Sequence, residues 1–120
     1  MSDSQARVAF EGSAPILRVG SMEASIRYYV EVLGFRNASW SNESFAYVSR
    51  DSAGIYLCQG GQGVGKAWAW IGVDDAERLY QEYNTNGAKI RLPPTNYSWA
   101  LEMQVEDLDG NVLRLGSDPR

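Results

Sequence analysis

The sequence contains no histidine. That removes the commonest general base near neutral pH, the commonest transition-metal ligand and every Ser–His or Cys–His nucleophile pair. Cys58 stands alone, which excludes an intrachain disulfide and a thiolate metal knuckle. No run of about 18 apolar residues occurs, so no membrane-spanning helix is expected. The opening residues, MSDSQARVAFEG, lack a basic segment followed by an apolar stretch, so no secretory leader is expected and the cytoplasm is the default location. A surplus of positive charge is missing as well: 11 Lys and Arg stand against 15 Asp and Glu, a net charge of −4. Nucleic acid, which needs a basic face, is therefore not an expected partner. A cationic small molecule suits the balance better.

What the chain does have is aromatic rings. In 120 residues it carries four Trp and seven Tyr, more than one core of this size needs to fill itself. The stretch KAWAWIGVDDAERLYQEYNTNG, Lys66 to Gly87, shows how they are used. Trp68 and Trp70 alternate with Ala69, Ile71 and Val73, the period-2 pattern of a strand with two different faces. Asp74, with Glu77 three residues on, predicts a helix start. Ala76, Leu79, Tyr80 and Tyr83 then share a helical face, and Asn86-Gly87 supplies the stop.

Earlier in the chain, Arg7 to Glu11 predicts a short edge strand and Ala14 to Val19 a strand. Ser21 caps a helix running to Leu33, with Met22, Ile26, Tyr29, Val30 and Leu33 on its buried face and Gly34 at its end. Strands are expected near 35–41, 44–50 and 53–59, with Ser41 to Ser44 as a hairpin tip. After Gly87, strands are expected near 88–92, 98–106 and 112–116, with Pro93-Pro94 as a break and Asp109-Gly110 as a turn. The order strand-helix-strand-strand-strand thus occurs twice, a repeat of roughly 54 residues. Residues 7–59 form the expected first module, after an arm over 1–13, residues 60–66 a glycine-rich linker, and residues 67–116 the second module.

Gly60 to Lys66, GGQGVGK, matches most of a phosphate-binding loop. Ala67 replaces the magnesium-ligating hydroxyl and a strand follows where a helix is required, so nucleotide binding is not expected.

Four pieces in order carry a resemblance: ILRVGSMEASIRYYVEVLGF, WAWIGVDDAERLYQEY with NGAKI, SWALEMQV, and EDLDGNVLRLG. Together they resemble the vicinal oxygen chelate superfamily, the glyoxalase / bleomycin resistance protein / extradiol dioxygenase group, over about residues 14–116. Leu108 departs from the proline usual in that family's closing turn. The resemblance implies an α+β fold: two tandem βαβββ modules whose curved mixed sheet forms a cup, in a homodimer that can exchange an N-terminal strand. Its enzymes hold a divalent metal at positions that fall here on Ala14, Tyr56, Trp68 and Arg114. Alanine and tryptophan offer no lone pair, and arginine remains protonated. No metal, cofactor or catalytic residue is expected. The likeness runs instead to the bleomycin-resistance branch, which sequesters a drug unmodified. The expected function is binding of a small aromatic, cationic antibiotic, with a metal-independent enzyme acting on a small polar substrate as the alternative.

Strand alternation nominates the cup residues. If Leu17, Ile55, Ile71 and Leu113 pack beneath the helices, then Arg18, Tyr56, Trp68, Trp70 and Arg114 face the cup. Trp40, Phe45 and Tyr47 supply a wall, Tyr97 and Trp99 a lid, and Glu102 a partner for a ligand cation. Arg18 and Arg114 admit two readings: they neutralise Glu102, or they select an anionic ligand.

Overall fold

The computed structural model describes residue 7 and residues 11–120. Its elements run β1 (Ile16–Arg18), α1 (Met22–Arg27, continued by a π-helical turn over Tyr28–Val32), β2 (Arg36–Asn37), β3 (Phe45–Arg50), β4 (Ala53–Cys58), β5 (Trp68–Gly72), α2 (Ala76–Thr85), β6 (Lys89–Asn96), β7 (Leu101–Glu106) and β8 (Val112–Ser117). They form two four-stranded sheets, ordered β1-β4-β3-β2 and β5-β8-β7-β6. Each begins with a parallel pair, β1 with β4 and β5 with β8, and continues antiparallel. The same βαβββ order builds both halves, as the sequence repeat predicts.

Local chemistry explains the helices. The Ser21 hydroxyl accepts the Ala24 N–H at the start of α1. Both helices end on a left-handed glycine, Gly34 (φ 77°) and Gly87 (φ 82°). The next residue, Phe35 or Ala88, donates its N–H back to the carbonyl of Tyr29 or Tyr83 at 2.8 and 2.9 Å.

One apolar core underlies both sheets. Leu17, Ala46, Val48, Ile55 and Leu57 enter it from the first sheet, Met103, Val105, Leu113 and Leu115 from the second, and Tyr29, Leu33 and Tyr83 from the helices. Each helix is also bonded to the opposite half. The Tyr29 hydroxyl donates to Asp107 Oδ2 (3.1 Å) and the Tyr28 hydroxyl to the Glu106 carbonyl (2.7 Å). In return, the Tyr83 hydroxyl donates to the Leu33 carbonyl (2.8 Å), and Arg50 forks onto both oxygens of Glu82 (2.8 and 3.1 Å). Burial pushes the Tyr83 hydroxyl up to about 12 and the Tyr29 hydroxyl well above its ordinary range, so both remain protonated donors.

Several local expectations are corrected. The cap of α2 is Asp75, whose side chain accepts the Arg78 N–H; Asp74 lies outside the helix. Val30 is exposed, because the π-helical turn over Tyr28–Val32 rotates the stripe; Ser25, in the α-helical part before that turn, is buried. The strand expected over 35–41 shortens to Arg36–Asn37. Pro93 and Pro94 do not interrupt β6: it is an edge strand, and register shifts between Ile90 and Leu92 and between Leu92 and Thr95 absorb them. The strand expected from 98 begins at Leu101, after a turn closed by the Tyr97 N–H and the Ala100 carbonyl. The edge strand expected over 7–11 falls largely outside the described residues.

The glycine-rich stretch has a packing reason. Gly63 (φ 71°) lies against the β1 backbone, and a Cβ there would come within 2.7 Å of the Ile16 carbonyl oxygen. The stretch leads into β5, so no helix N-terminus is present to hold a phosphate.

Candidate functional site

With the core on one side of each sheet, alternation leaves the other side bare, and the aromatic residues occupy it. On the first sheet, Phe45 and Tyr47 of β3 and Tyr56 of β4 meet Trp40 from the preceding turn. Phe45 and Tyr56 stack at 5.3 Å, and Tyr47 and Tyr56 lie 4.8 Å apart. Trp40 lies nearly parallel to Phe45 and to Tyr47, with centroids 6.4 Å away in each case. Tyr47 lies over Gly54, its diagonal neighbour, which pairs with Ser49; a Cβ there would overlap the ring. The result is a continuous four-ring platform.

The second sheet builds a different face. Glu102 of β7 is 1% exposed and receives four hydrogen bonds. Arg114 of β8 donates Nε to Oε2 (2.7 Å) and Nη2 to Oε1 (2.8 Å). Gln104 donates Nε2 to Oε2 (3.0 Å), and Trp99 donates Nε1 to Oε1 (3.2 Å). The carboxylate is closed off by the side chains that bond it rather than by depth in the protein, so hydrogen bonding outweighs burial. The Arg114 guanidinium leads in holding its pKa down at about 2, aided by Gln104 and Trp99. Outward from this centre, Arg114 lies 5.1 Å from the Trp70 ring centroid. Gln104 accepts from Arg91 Nε (3.0 Å), and Arg91 lies 5.0 Å from the Trp68 centroid. One chain of contacts therefore runs Trp68, Arg91, Gln104, Glu102, Arg114, Trp70. Trp70 rests on Gly116, where a Cβ would overlap the indole. Tyr97 and Trp99 stack at 4.4 Å and 6° at the margin.

Of the residues nominated from sequence, Trp40, Tyr47 and Tyr56 come together on the first face, and Trp68, Trp70, Trp99, Glu102 and Arg114 on the second. Arg18 joins neither cluster; it lines a small cavity with Lys66 and Asp109. Within one chain, no aromatic pairing joins the two faces among the described residues, because both sheets back onto a common core. Sequence reasoning passed over Arg91, Gln104, Gly54 and Gly116. The register shifts of β6 hide Arg91 from simple alternation, whereas the two glycines were legible as strand-interior glycines beside large rings.

A cavity of about 1240 Å3 lies elsewhere, between the β3–β4 turn and α2, where the Arg50–Glu82 bridge crosses it. It meets the second face only at Trp70, and its lining lacks the ring clusters described above.

The family's metal does not fit this donor set. Tyr56 is engaged in stacking, Arg114 is committed to Glu102, and Trp68 has no acceptor atom. Among the described residues no group of three His, Cys, Asp or Glu side chains converges.

Paired βαβββ units, each a four-stranded mixed sheet with one helix, define an α+β class, and comparison with known proteins agrees. The family profile of the Glyoxalase/Bleomycin resistance protein/Dioxygenase superfamily matches residues 7–115, so the chain belongs to that superfamily. No curated protein matches it by sequence. Among solved structures, it is similar to TnmS3, an antibiotic binding protein from Streptomyces sp. CB03234: 20% identity, TM-score 0.81, 95% of this chain and 100% of that one covered. It is similar to the bleomycin-binding protein of bleomycin-producing Streptomyces verticillus, complexed with copper(II)-bleomycin: 21% identity, TM-score 0.73, 95% and 100% covered. TioX from Micromonospora sp. ML1 is also similar, at 16% identity and TM-score 0.75 over 92% and 98%. At these identities the likeness establishes the fold. Among the described residues no helix is long and apolar enough to cross a membrane.

Proposed function

We propose that this protein binds and sequesters a small aromatic antibiotic, without modifying it, in a cup completed by a second copy of the chain. One observation carries the reading. All four tryptophans are about half exposed: Trp40 54%, Trp68 53%, Trp70 49% and Trp99 60%. Tryptophan buries some 150–250 Å2 when it finds a partner. Leaving every one in water, stacked or braced on a bare sheet face, supports a role in receiving something flat.

Geometry supports a dimer. A binding cup needs two opposed walls, and both faces of one chain turn away from a shared core. The Cα radius of gyration, 16.0 Å, exceeds the roughly 14 Å of a compact domain of this length. The unit that repeats is the βαβββ module, 7–59 and 67–116, joined by 60–66. In this reading the first-face platform of one copy opposes the second face of the other, and Trp40, Tyr47, Tyr56, Trp68, Trp70 and Trp99 contact the ligand. Arg114 and Glu102 form a braced floor, and Arg18 lies at the edge.

The test is a tryptophan-fluorescence titration with metal-free bleomycin and with chemically unrelated aromatic drugs, beside sedimentation for oligomeric state. Saturable quenching at about micromolar concentration, with the drug recovered intact and the response lost in Trp68→Ala, is the expected result. Drug returned chemically altered transfers the reading to the metal-independent enzyme. No response to any compound, or a monomer at every concentration, overturns the cup.

A further inference from the structure

The two bare faces do not share the charge of the molecule. Register assigns each ionisable side chain to a face, because opposed residues, and alternate residues along a strand, project to the same side. Arg36 opposes Ser49, two residues from Tyr47, and belongs to the first aromatic face; Arg18 projects to the same side of the sheet but sits apart from the rings, in the small cavity it shares with Lys66 and Asp109. Lys89, Arg91 and Arg114 belong to the second, through their contacts with Glu106, Gln104 and Glu102. These four are Arg36, Lys89, Arg91 and Arg114, out of 11 Lys and Arg in the chain. Among the described residues, the strands carry two carboxylates, Glu102 and Glu106 of β7, and alternation places both on the second face.

Both carboxylates are already occupied. Glu102 holds its four donors, and Glu106 lies 3.3 Å from Lys89 and 3.9 Å from Arg91. Arg114 commits Nε and Nη2 to Glu102, and no hydrogen bond among the described residues uses its Nη1. A chain of net charge −4 thus turns two net-positive faces toward the cup, with guanidinium groups beside Trp68 and Trp70.

We infer that the cup selects a planar aromatic ligand bearing an anionic edge, a carboxylate, sulfonate or phenolate on a fused ring. The inference rests on the binding reading above and reverses the sign that the net charge suggests. A ring laid against Trp68 or Trp70 brings its edge to a guanidinium, which matches an oxyanion in charge and in donor geometry. A cation finds no free carboxylate on either face among the described residues, and two indoles that already carry a guanidinium.

The experiment compares three rings on one scaffold: anthraquinone-2-sulfonate, 2-(hydroxymethyl)anthraquinone and a quaternary-ammonium anthraquinone. Each is titrated against the full chain at low and high salt. The sulfonate should bind about tenfold more tightly than the neutral ring, with an advantage that shrinks as salt rises. In Arg91→Gln, and independently in Arg36→Gln, the sulfonate-to-neutral ratio should fall. Arg91 suits the test because no buried carboxylate depends on it. Equal or tighter binding of the neutral or cationic ring overturns the charge inference and leaves sequestration standing. Failure of all three rings to bind overturns both.

Discussion

The two bare sheet faces share a topology and almost nothing else. The first is held by ring-on-ring contacts among Trp40, Phe45, Tyr47 and Tyr56, with no hydrogen bond fixing the indole N–H of Trp40 or the hydroxyls of Tyr47 and Tyr56 to another side chain among the described residues. The second is held by directional bonds around Glu102, with its indoles braced from below. Stacking tolerates sliding; a forked guanidinium–carboxylate pair does not. The first face is suited to accept many flat shapes, the second to fix how a shape is oriented. A duplicated unit can diverge in this way because its core-facing residues carry the fold and leave the opposite face free.

The contrast can be broken most severely at its stiffest point. Arg114→Met takes from Glu102 its ion partner and two of its four donors, and it should give the largest loss of stability in a denaturant titration. The double change Arg114→Met with Glu102→Leu should recover much of that loss. The same site predicts a pH dependence. The Glu102 pKa is depressed to about 2 in the folded protein, so its contribution is complete above the unfolded carboxylate's value near 4.5 and fades as pH falls from there toward 2. Acid unfolding of Glu102→Gln should accordingly be shallower across that window than that of the parent chain.

Gly116→Val should cost about 1–3 kcal/mol by forcing Trp70 off its seat, read as a lowered denaturation midpoint with a shifted tryptophan emission. The low end is expected, because Trp70 is half exposed and can swing outward. Tyr83→Phe, beneath both faces, should cost about 1 kcal/mol by removing the hydroxyl that the Leu33 carbonyl accepts from. Smallest of all in stability is Trp40→Ala, within about 0.5 kcal/mol for so exposed a ring. Its effect belongs to binding, where an aromatic ligand should weaken about tenfold. A large stability loss there would make the platform a structural cluster and erase the distinction between the faces.

Much of this architecture was legible in the residues. Ser21, Gly34 and Gly87 mark helix ends because their local chemistry is self-sufficient: a hydroxyl that caps, and backbones free to turn left-handed. Alternation placed Tyr56, Trp68, Trp70, Glu102 and Arg114 on the non-core side, since a strand has only two sides. The division of these residues between two faces was not legible, because it depends on which sheet each strand joins and on one core serving both. Arg91 was hidden by the irregular register of β6. The charge of the two bare faces was hidden for a simpler reason: a sum over the whole chain says nothing about how charge is sorted across the surface.

The crossed helices have a consequence for how the chain holds together. Tyr28 and Tyr29 reach from the first half into the second, and Tyr83 and Glu82 reach back. Each half therefore carries a socket that only the other half's helix fills. The glycine stretch between them packs on β1 at Gly63, and by joining the halves it also sets their local concentration. Fragments cut within Gly60–Gly65 should find each other in solution and rebuild the same molecule, with tyrosine hydroxyls serving as the recognition code.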